Sequence, residues 1–153
     1  EKCPDSQFLW FGSSSIKSML PKKIQKIIDS PPKNLIFPGY VDKDILIGAF
    51  GAAKTFLFMT YEENEGIVVL EALSSKLPLV VRDIPVYDNW LSDGKNCFKA
   101  KDNEEFYKKM VSIVNEKVTN IDEIIQNAYD IALERDLVKI GEKYKKYYED
   151  ILK

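Results

Sequence analysis

Histidine is entirely absent from the 153 residues. Its absence removes the commonest metal ligand and the base of Ser-His-Asp and Cys-His catalysis within these residues. Cysteine is scarce: Cys3 and Cys97 stand alone, without metal-type spacing, which suits a reducing cytosolic compartment rather than a disulfide scaffold. No run approaches the roughly 18 apolar residues that a membrane span needs, and no signal peptide opens the chain. Charge of one sign is lacking too. The net charge is -2 and the pI is about 5.3, so nothing here attracts nucleic acid in general. The chain also lacks an initiator Met, and "EKCPDSQFLWFG" enters a strand almost at once. An excised domain is the expectation.

What is present is ample for a core, with 45% hydrophobic and 30% charged residues, so one globular domain over 1–153 is expected. "QFLWFG" (7–12) reads as a strand with Trp10 and Phe11 in the core, and a polar "SSS" loop (13–15) follows it. "LPKKIQKIIDS" (20–30) reads as a helix with Pro21 near its first turn. "LIFPGY" (35–40) is a strand, and "DKDILIGAFGAA" (42–53) a helix with Asp42 or Asp44 as cap. "TFLFMT" (55–60) is a continuous apolar strand of the kind buried on both faces of a parallel sheet. A helix at 66–75, a strand at 77–81, a short helix at 86–92 and a strand at 96–100 follow. From 103 to 153 the pattern becomes three amphipathic helices, a helical tail of the same domain. Strands alternating with helices imply βα units and a parallel sheet. The expected fold is α/β, a doubly wound parallel sheet with a helical C-terminal tail.

The chemistry gathers in "YEENEGIVVLEALSSKLPLVV" (61–81), where Glu62, Glu63 and Glu65 crowd the turn before Gly66 and Glu71 lies among apolar residues behind it. In doubly wound sheets ligands bind beyond the carboxyl ends of the strands, and this turn lies at such an end. A helix N-terminus offers free N–H groups and partial positive charge, which suit a phosphate. Gly66 lets a diphosphate approach the backbone at Ile67 and Val68. A carboxylate about 7 Å from a phosphate is repelled by roughly 2 kcal/mol at an effective dielectric near 20. The carboxylates make sense as acceptors for hydroxyls. A diphosphate flanked by polyols meets both requirements, and a nucleotide-diphosphate sugar is such a molecule.

Glu63 and Glu71 stand eight apart in "ENEGIVVLE". This resembles the E-x7-E signature of retaining glycosyltransferases of the GT-B fold, family 4 (group 1), with "FPGYV", "VRDIPVYDNWL" and "WLSDGKN" as supporting context. "MLPKKI", "IFPGYV" and "VRDIPVYDNWL" look like the bacterial glucosyltransferases that glucosylate diacylglycerol. The resemblance implies the donor-binding C-terminal half of such an enzyme, moving glucose from UDP-glucose onto an acceptor such as diacylglycerol in glycolipid synthesis. It implies Glu63 on the donor sugar, Glu71 on the ribose, the Gly66, Ile67 and Val68 amides on the diphosphate, and Tyr40 and Val41 beside the base. No metal and no further cofactor is called for. The implied partners are the nucleotide sugar, a missing N-terminal acceptor domain and a peripheral contact with the inner face of the cell membrane. The basic pair that neutralises the diphosphate in the family is missing here. Lys76 stands where many members carry Gly after this helix.

Blander readings stand beside these. Glu62 and Glu65 fit solvated first-turn residues, and Lys17, Lys22, Lys23 and Lys26 fit a solvated helix face or a contact with anionic lipid. Arg82 and Asp83 follow a strand end, an address shared by sites and by structural ion pairs. Tyr144, Tyr147, Tyr148 and Ile151 form an apolar stripe suited to packing on a domain. A non-catalytic nucleotide-binding module and a transferase acting on another glycan remain as alternatives. A flavodoxin-like or response-regulator domain would need an acidic cluster at the first strand end, and "QFLWFGSSS" has none.

Overall fold

The computed structural model describes the backbone of residues 3–12 and 17–152; the loop read at 13–15 and the side chain of Lys17 lie outside the described residues. Two compact units are distinguished, Glu1–Gly48 and Ala49–Lys153. In the first, β1 (Phe8–Phe11) and β2 (Leu35–Gly39) form a parallel pair, with Phe8 opposite Leu35 and a register shift between Leu9 and Phe11. Parallel neighbours need a crossover, and α1 (Lys22–Asp29) supplies it. Pro21 occupies its N-cap. The side-chain amide of Asn34 donates to the carbonyls of Cys3 and Ser6, both at 2.9 Å, tying the entry of β1 to that of β2.

Trp10 departs from expectation: it is 65% exposed, and Phe11 is half-buried. Among the described residues β1 has one strand partner, β2, and α1 buries none of its residues. An apolar strand is covered only as far as neighbouring elements reach over it.

α2 (Lys43–Ala52) runs across the division, its first turn held by the Asp42 carbonyl, which accepts from Ile45 and Leu46. In the second unit β3 (Phe56–Phe58), β4 (Leu79–Arg82) and β5 (Phe98–Ala100) form a parallel sheet in that order. β4 lies between two neighbours and is buried along its whole length, whereas β3 is an outer strand of this sheet and only half-buried. The burial on both faces expected of 55–60 belongs to β4 instead. Side chains alternate along a strand, and β4 feeds both faces. Leu79 and Val81 pack with Val69 and Leu73 of α3 (Ile67–Ser74) and Ala128 of α5 (Ile121–Glu134). Val80 packs with Phe98, and with Phe106 and Ile113 of α4 (Asn103–Val114). Each such side chain taken fully out of water is worth about 1.5–3 kcal/mol. With core on both sides, the sheet is doubly wound.

α4 starts on a side-chain cap, the Asp102 carboxylate accepting from Glu104 and Glu105 at 2.9 Å. α6 (Leu137–Ile151) buries no residue, and Tyr144, Tyr147, Tyr148 and Ile151 are all exposed. The helix expected at 86–92 is a 3-10 turn, Pro85–Tyr87, followed by further turns. The buried side chain of Asn96 explains the stop: its oxygen accepts from Ser92 N–H at 2.8 Å and its amide donates to the Trp90 carbonyl at 3.3 Å. These partners would otherwise serve a continuing helix.

α3 ends in a Schellman arrangement, with Lys76 N–H donating to Leu73 and Leu77 N–H to Ala72, which puts Lys76 at φ 56°. The left-handed backbone costs a non-glycine residue about 1 kcal/mol. The Lys76 ammonium lies 4.5 Å from the centroid of the Tyr129 ring, a contact worth about 0.5–1 kcal/mol. Lys76→Gly should therefore change stability by no more than about 0.5 kcal/mol in either direction. Lys76→Ala keeps the strain, loses the ring, and should destabilise by about 0.5–1 kcal/mol. Urea unfolding of the two variants checks the ordering, and equal stabilities would contradict it.

Candidate functional site

β3 ends at Phe58, and the chain crosses to α3 through 59–66, beyond the carboxyl edge of the sheet. Gly66 makes the turn into the helix with φ 68° and ψ 49°. This left-handed conformation costs other L-residues roughly 1–2 kcal/mol. No side chain caps α3. The Gly66 carbonyl accepts from Val69 and Leu70. Among the described residues the amides of Ile67 and Val68 find no acceptor. Two free N–H groups at the positive end of a helix form an anion-accepting point.

Glu63, Asn64, Glu65, Gly66, Ile67 and Val68 line one open depression of about 570 Å³. Three of the residues expected on the diphosphate and the one expected on the sugar are thus brought together. Glu63 is half-buried, with Oε1 accepting from the Asn64 N–H at 3.0 Å. Its other oxygen is free to accept a hydroxyl. Glu62 and Glu65 are exposed and solvated, but they lie ahead of the Gly66 N-cap rather than in the first turn of α3. Glu71 is exposed in the second turn of α3 and is not among the residues lining the depression, though its carbonyl accepts from the hydroxyls of Ser74 and Ser75. Tyr40, 85% exposed, and Val41, half-buried, follow β2 in the first unit. The lysines at 22, 23 and 26 are exposed.

Tyr87 passed unremarked in the sequence. Its side chain is fully buried, and a Cβ on residue 66 would sit 3.4 Å from both its Cε1 and its hydroxyl. Burial pushes the phenol above its ordinary pKa, the Glu63 charge adds to the rise, and the nearby Thr60 hydroxyl works against it. Neither hydroxyl completes a hydrogen bond of good geometry. The available signal was positional: Tyr87 follows "RDIP" at the next strand end.

Arg82 and Asp83 do not pair with each other. Arg82 is 6% exposed; its Nε donates to the Met59 carbonyl at 3.3 Å and its Nη2 to Asn103 Oδ1 at 2.9 Å. Asp83 instead joins Asp88 on the Lys99 ammonium, at 3.2 and 2.9 Å. Burial would lower the Lys99 pKa, but the hydrogen bonds to Asp88 and Asp83 outweigh it and the pKa is raised. Asp83 and Lys99 belong to a second open depression, of about 480 Å³, lined also by Asp93, Lys101, Glu105, Lys108 and Lys109. Lys109 pairs with Asp93 at 2.7 Å and Lys108 with Glu104 at 2.7 Å. Charges matched in this way leave little for a ligand to gain. Next to it, burial and the Asp93 charge push the Cys97 thiol up to about 12, which makes it a core residue rather than a nucleophile.

Comparison with known proteins finds relatives of this chain. The family described as "Glycosyl transferases group 1" matches residues 12–131. A processive diacylglycerol alpha-glucosyltransferase of Acholeplasma laidlawii is 45% identical over 150 residues, covering 98% of this chain and 44% of that protein. An alpha-monoglucosyldiacylglycerol synthase of the same organism is 33% identical over 111 residues, covering 72% and 27%. The chain therefore spans less than half the length of these relatives. Among solved structures, the GtfA/B complex matches with a TM-score of 0.74 at 17% identity, covering 98% of this chain and 30% of that one. The pneumococcal O-GlcNAc transferase GtfA in complex with UDP and GlcNAc matches with 0.71 at 23%, covering 99% and 30%.

The Gly66 turn can be tested directly. A Cβ at residue 66 would make only van der Waals contact, at 3.4 Å, with Tyr87 and Val69. The cost of Gly66→Ala is then the backbone strain alone, about 1–2 kcal/mol in denaturant unfolding. A loss well above that would mean a clash, and no loss would mean that the turn is not left-handed.

Proposed function

The chain belongs to the group 1 glycosyltransferases, and from that premise we propose that it is the donor-binding half of a retaining GT-B hexosyltransferase that uses UDP-glucose and serves glycolipid synthesis. One observation carries the reading. The left-handed glycine opens α3 with the Ile67 and Val68 amides uncapped, in the same depression as the half-buried carboxylate of Glu63. The pairing of an anion-accepting helix end with a hydroxyl-accepting carboxylate suits a sugar diphosphate and suits neither a bare phosphate nor a bare sugar.

In this reading the donor diphosphate lies over Gly66, where no side chain keeps it from the backbone. The amides of Ile67 and Val68 and the α3 dipole stabilise the charge that develops on the leaving diphosphate. Glu63 orients hydroxyls of the transferred hexose, and Glu71 accepts from the ribose hydroxyls. Tyr40 and Val41 are assigned to the base. The bond from the anomeric carbon to the leaving oxygen breaks, a bond from that carbon to the acceptor oxygen forms with configuration retained, and the acceptor's hydroxyl proton passes to the leaving diphosphate. No metal ligand is assigned. The names of the relatives support diacylglycerol or a glycosylated diacylglycerol as the acceptor. The acceptor-binding half is assigned to residues outside this chain, in keeping with its 44% coverage of the Acholeplasma glucosyltransferase. Access to a lipid acceptor is assigned to peripheral contact; among the described residues no helix is long and apolar enough to cross a membrane.

Two variants of the full-length protein separate the carboxylates. Glu63→Ala should abolish hexose transfer and leave the UDP dissociation constant within about twofold, since the residue is assigned to the sugar. Glu71→Ala should weaken uridine and UDP alike, by about 1.5–3 kcal/mol for a charged hydrogen bond. Calorimetric titration with uridine, UDP and UDP-glucose reads both. An active Glu63→Ala enzyme, or a Glu71→Ala variant with parental uridine affinity, would contradict its assignment.

A further inference from the structure

Residues 61–65 carry the acidic turn and Glu63, yet among the described residues none of them makes a backbone–backbone hydrogen bond outside the strand ladder. Their one local bond is the Asn64 N–H to Glu63 Oε1. Something must hold this stretch, because a carboxylate that orients a sugar has to be placed closely. Arg82 is the group in position. It is the last residue of β4, next to the exit of β3, and its guanidinium is buried without a carboxylate in ion-pair contact among the described residues. A buried cation without a counter-charge is costly. Sites that break a local rule in this way are commonly tied to function.

The guanidinium uses two of its nitrogens and one face. Nε holds the Met59 carbonyl at 3.3 Å, the last turn of chain before the acidic stretch. The guanidinium carbon lies 4.0 Å from the centroid of the Tyr61 ring, which is itself 72% exposed and so has little else to rest on. Nη2 reaches Asn103, the first residue of α4, at 2.9 Å, and the Asp102 cap anchors that helix start. The planar fork thus ties two points of the outgoing chain, at 59 and 61, to the fixed start of a core helix. Lysine has neither the fork nor the flat face needed for this.

We propose that Arg82 is a positioning residue for transfer: it clamps the 59–61 segment so that Glu63, two residues further on, meets the donor hexose. The proposal rests on the function assigned above. The nucleotide-binding amides at 67 and 68 and Glu71 are fixed by α3 itself, so the clamp should govern the sugar and leave the nucleotide alone.

Arg82→Lys and Arg82→Met in the full-length protein test it, with Arg82→Met as the uncharged control should the lysine variant fold poorly. The expected result is a kcat lower on the order of 100-fold, as small misplacements of a reacting group produce, with UDP affinity within about twofold of the parent and no rescue by lysine. UDP affinity falling in step with kcat, or full activity in Arg82→Lys, would overturn the clamp. Hydrogen exchange read by mass spectrometry judges it independently of activity. Faster exchange at the Asn64 N–H, the one hydrogen-bonded amide of 61–65, with the α3 amides unchanged upholds it, and parental exchange at Asn64 overturns it. A parent protein that neither binds UDP nor transfers hexose would overturn the functional assignment, and the exchange result would still decide the clamp.

Discussion

The left-handed turn at Gly66, resting against the buried Tyr87 ring, is the constraint on which the site depends. A helix that began with an ordinary capping residue would spend its first N–H groups on that residue's own side chain. Here the cap has no side chain, the backbone goes through a conformation open at low cost only to glycine, and the amides of Ile67 and Val68 are left facing outward. Tyr87 sets the floor of this turn. Its ring packs among Val69, Leu73 and Leu91 in the core, so the core packing of the second unit and the direction of the first α3 amides are one arrangement.

The electrostatics of the turn follow from mixing opposed features within a few residues. The helix end attracts negative charge, and Glu62, Glu63 and Glu65 repel it. A simple anion would gain little from such a place. A ligand whose charge is confined to its middle and whose ends are hydroxylated gains from both, since carboxylates accept from hydroxyls while the backbone takes the phosphate oxygens. The chain belongs to the group 1 glycosyltransferases and covers less than half of the diacylglycerol glucosyltransferase it matches; in the reading proposed above, this chemistry serves hexose transfer and the acceptor is held elsewhere.

Two cations on neighbouring strands, the half-buried Lys99 and the buried Arg82, behave differently. Lys99 is ringed by Asp83 and Asp88, which neutralise it and keep its proton on. Among the described residues Arg82 has only neutral partners: a carbonyl, an amide oxygen and an aromatic face. The first is a structural knot beside β5. The second holds a segment that otherwise has almost no hydrogen bonds of its own, and that segment carries Glu63.

Much of this was legible in the letters. Apolar runs and helical patterning, with Pro and Gly as punctuation, placed the described strands and α-helices within a few residues, and read a helix at 86–92 where a 3-10 turn stands. Glycine at 66 between crowded carboxylates and an apolar helix marked the ligand-facing turn, because few other reasons exist to put those residue types together. The left-handed Lys76 was readable from the missing glycine. What the letters could not carry was neighbourhood. Trp10 and Phe11 spell a core strand, but only the two-stranded pairing shows that Trp10 is left uncovered. β3 and the first three residues of β4 are equally apolar, and strand order makes β4 the one buried throughout. Tyr87 under Gly66 and Arg82 against Met59, Tyr61 and Asn103 join residues 21 to 23 positions apart. Local sequence determines what a segment can form. Which side chain meets which across the sheet edge is decided by packing of elements distant in the chain, and only the tertiary structure contains that.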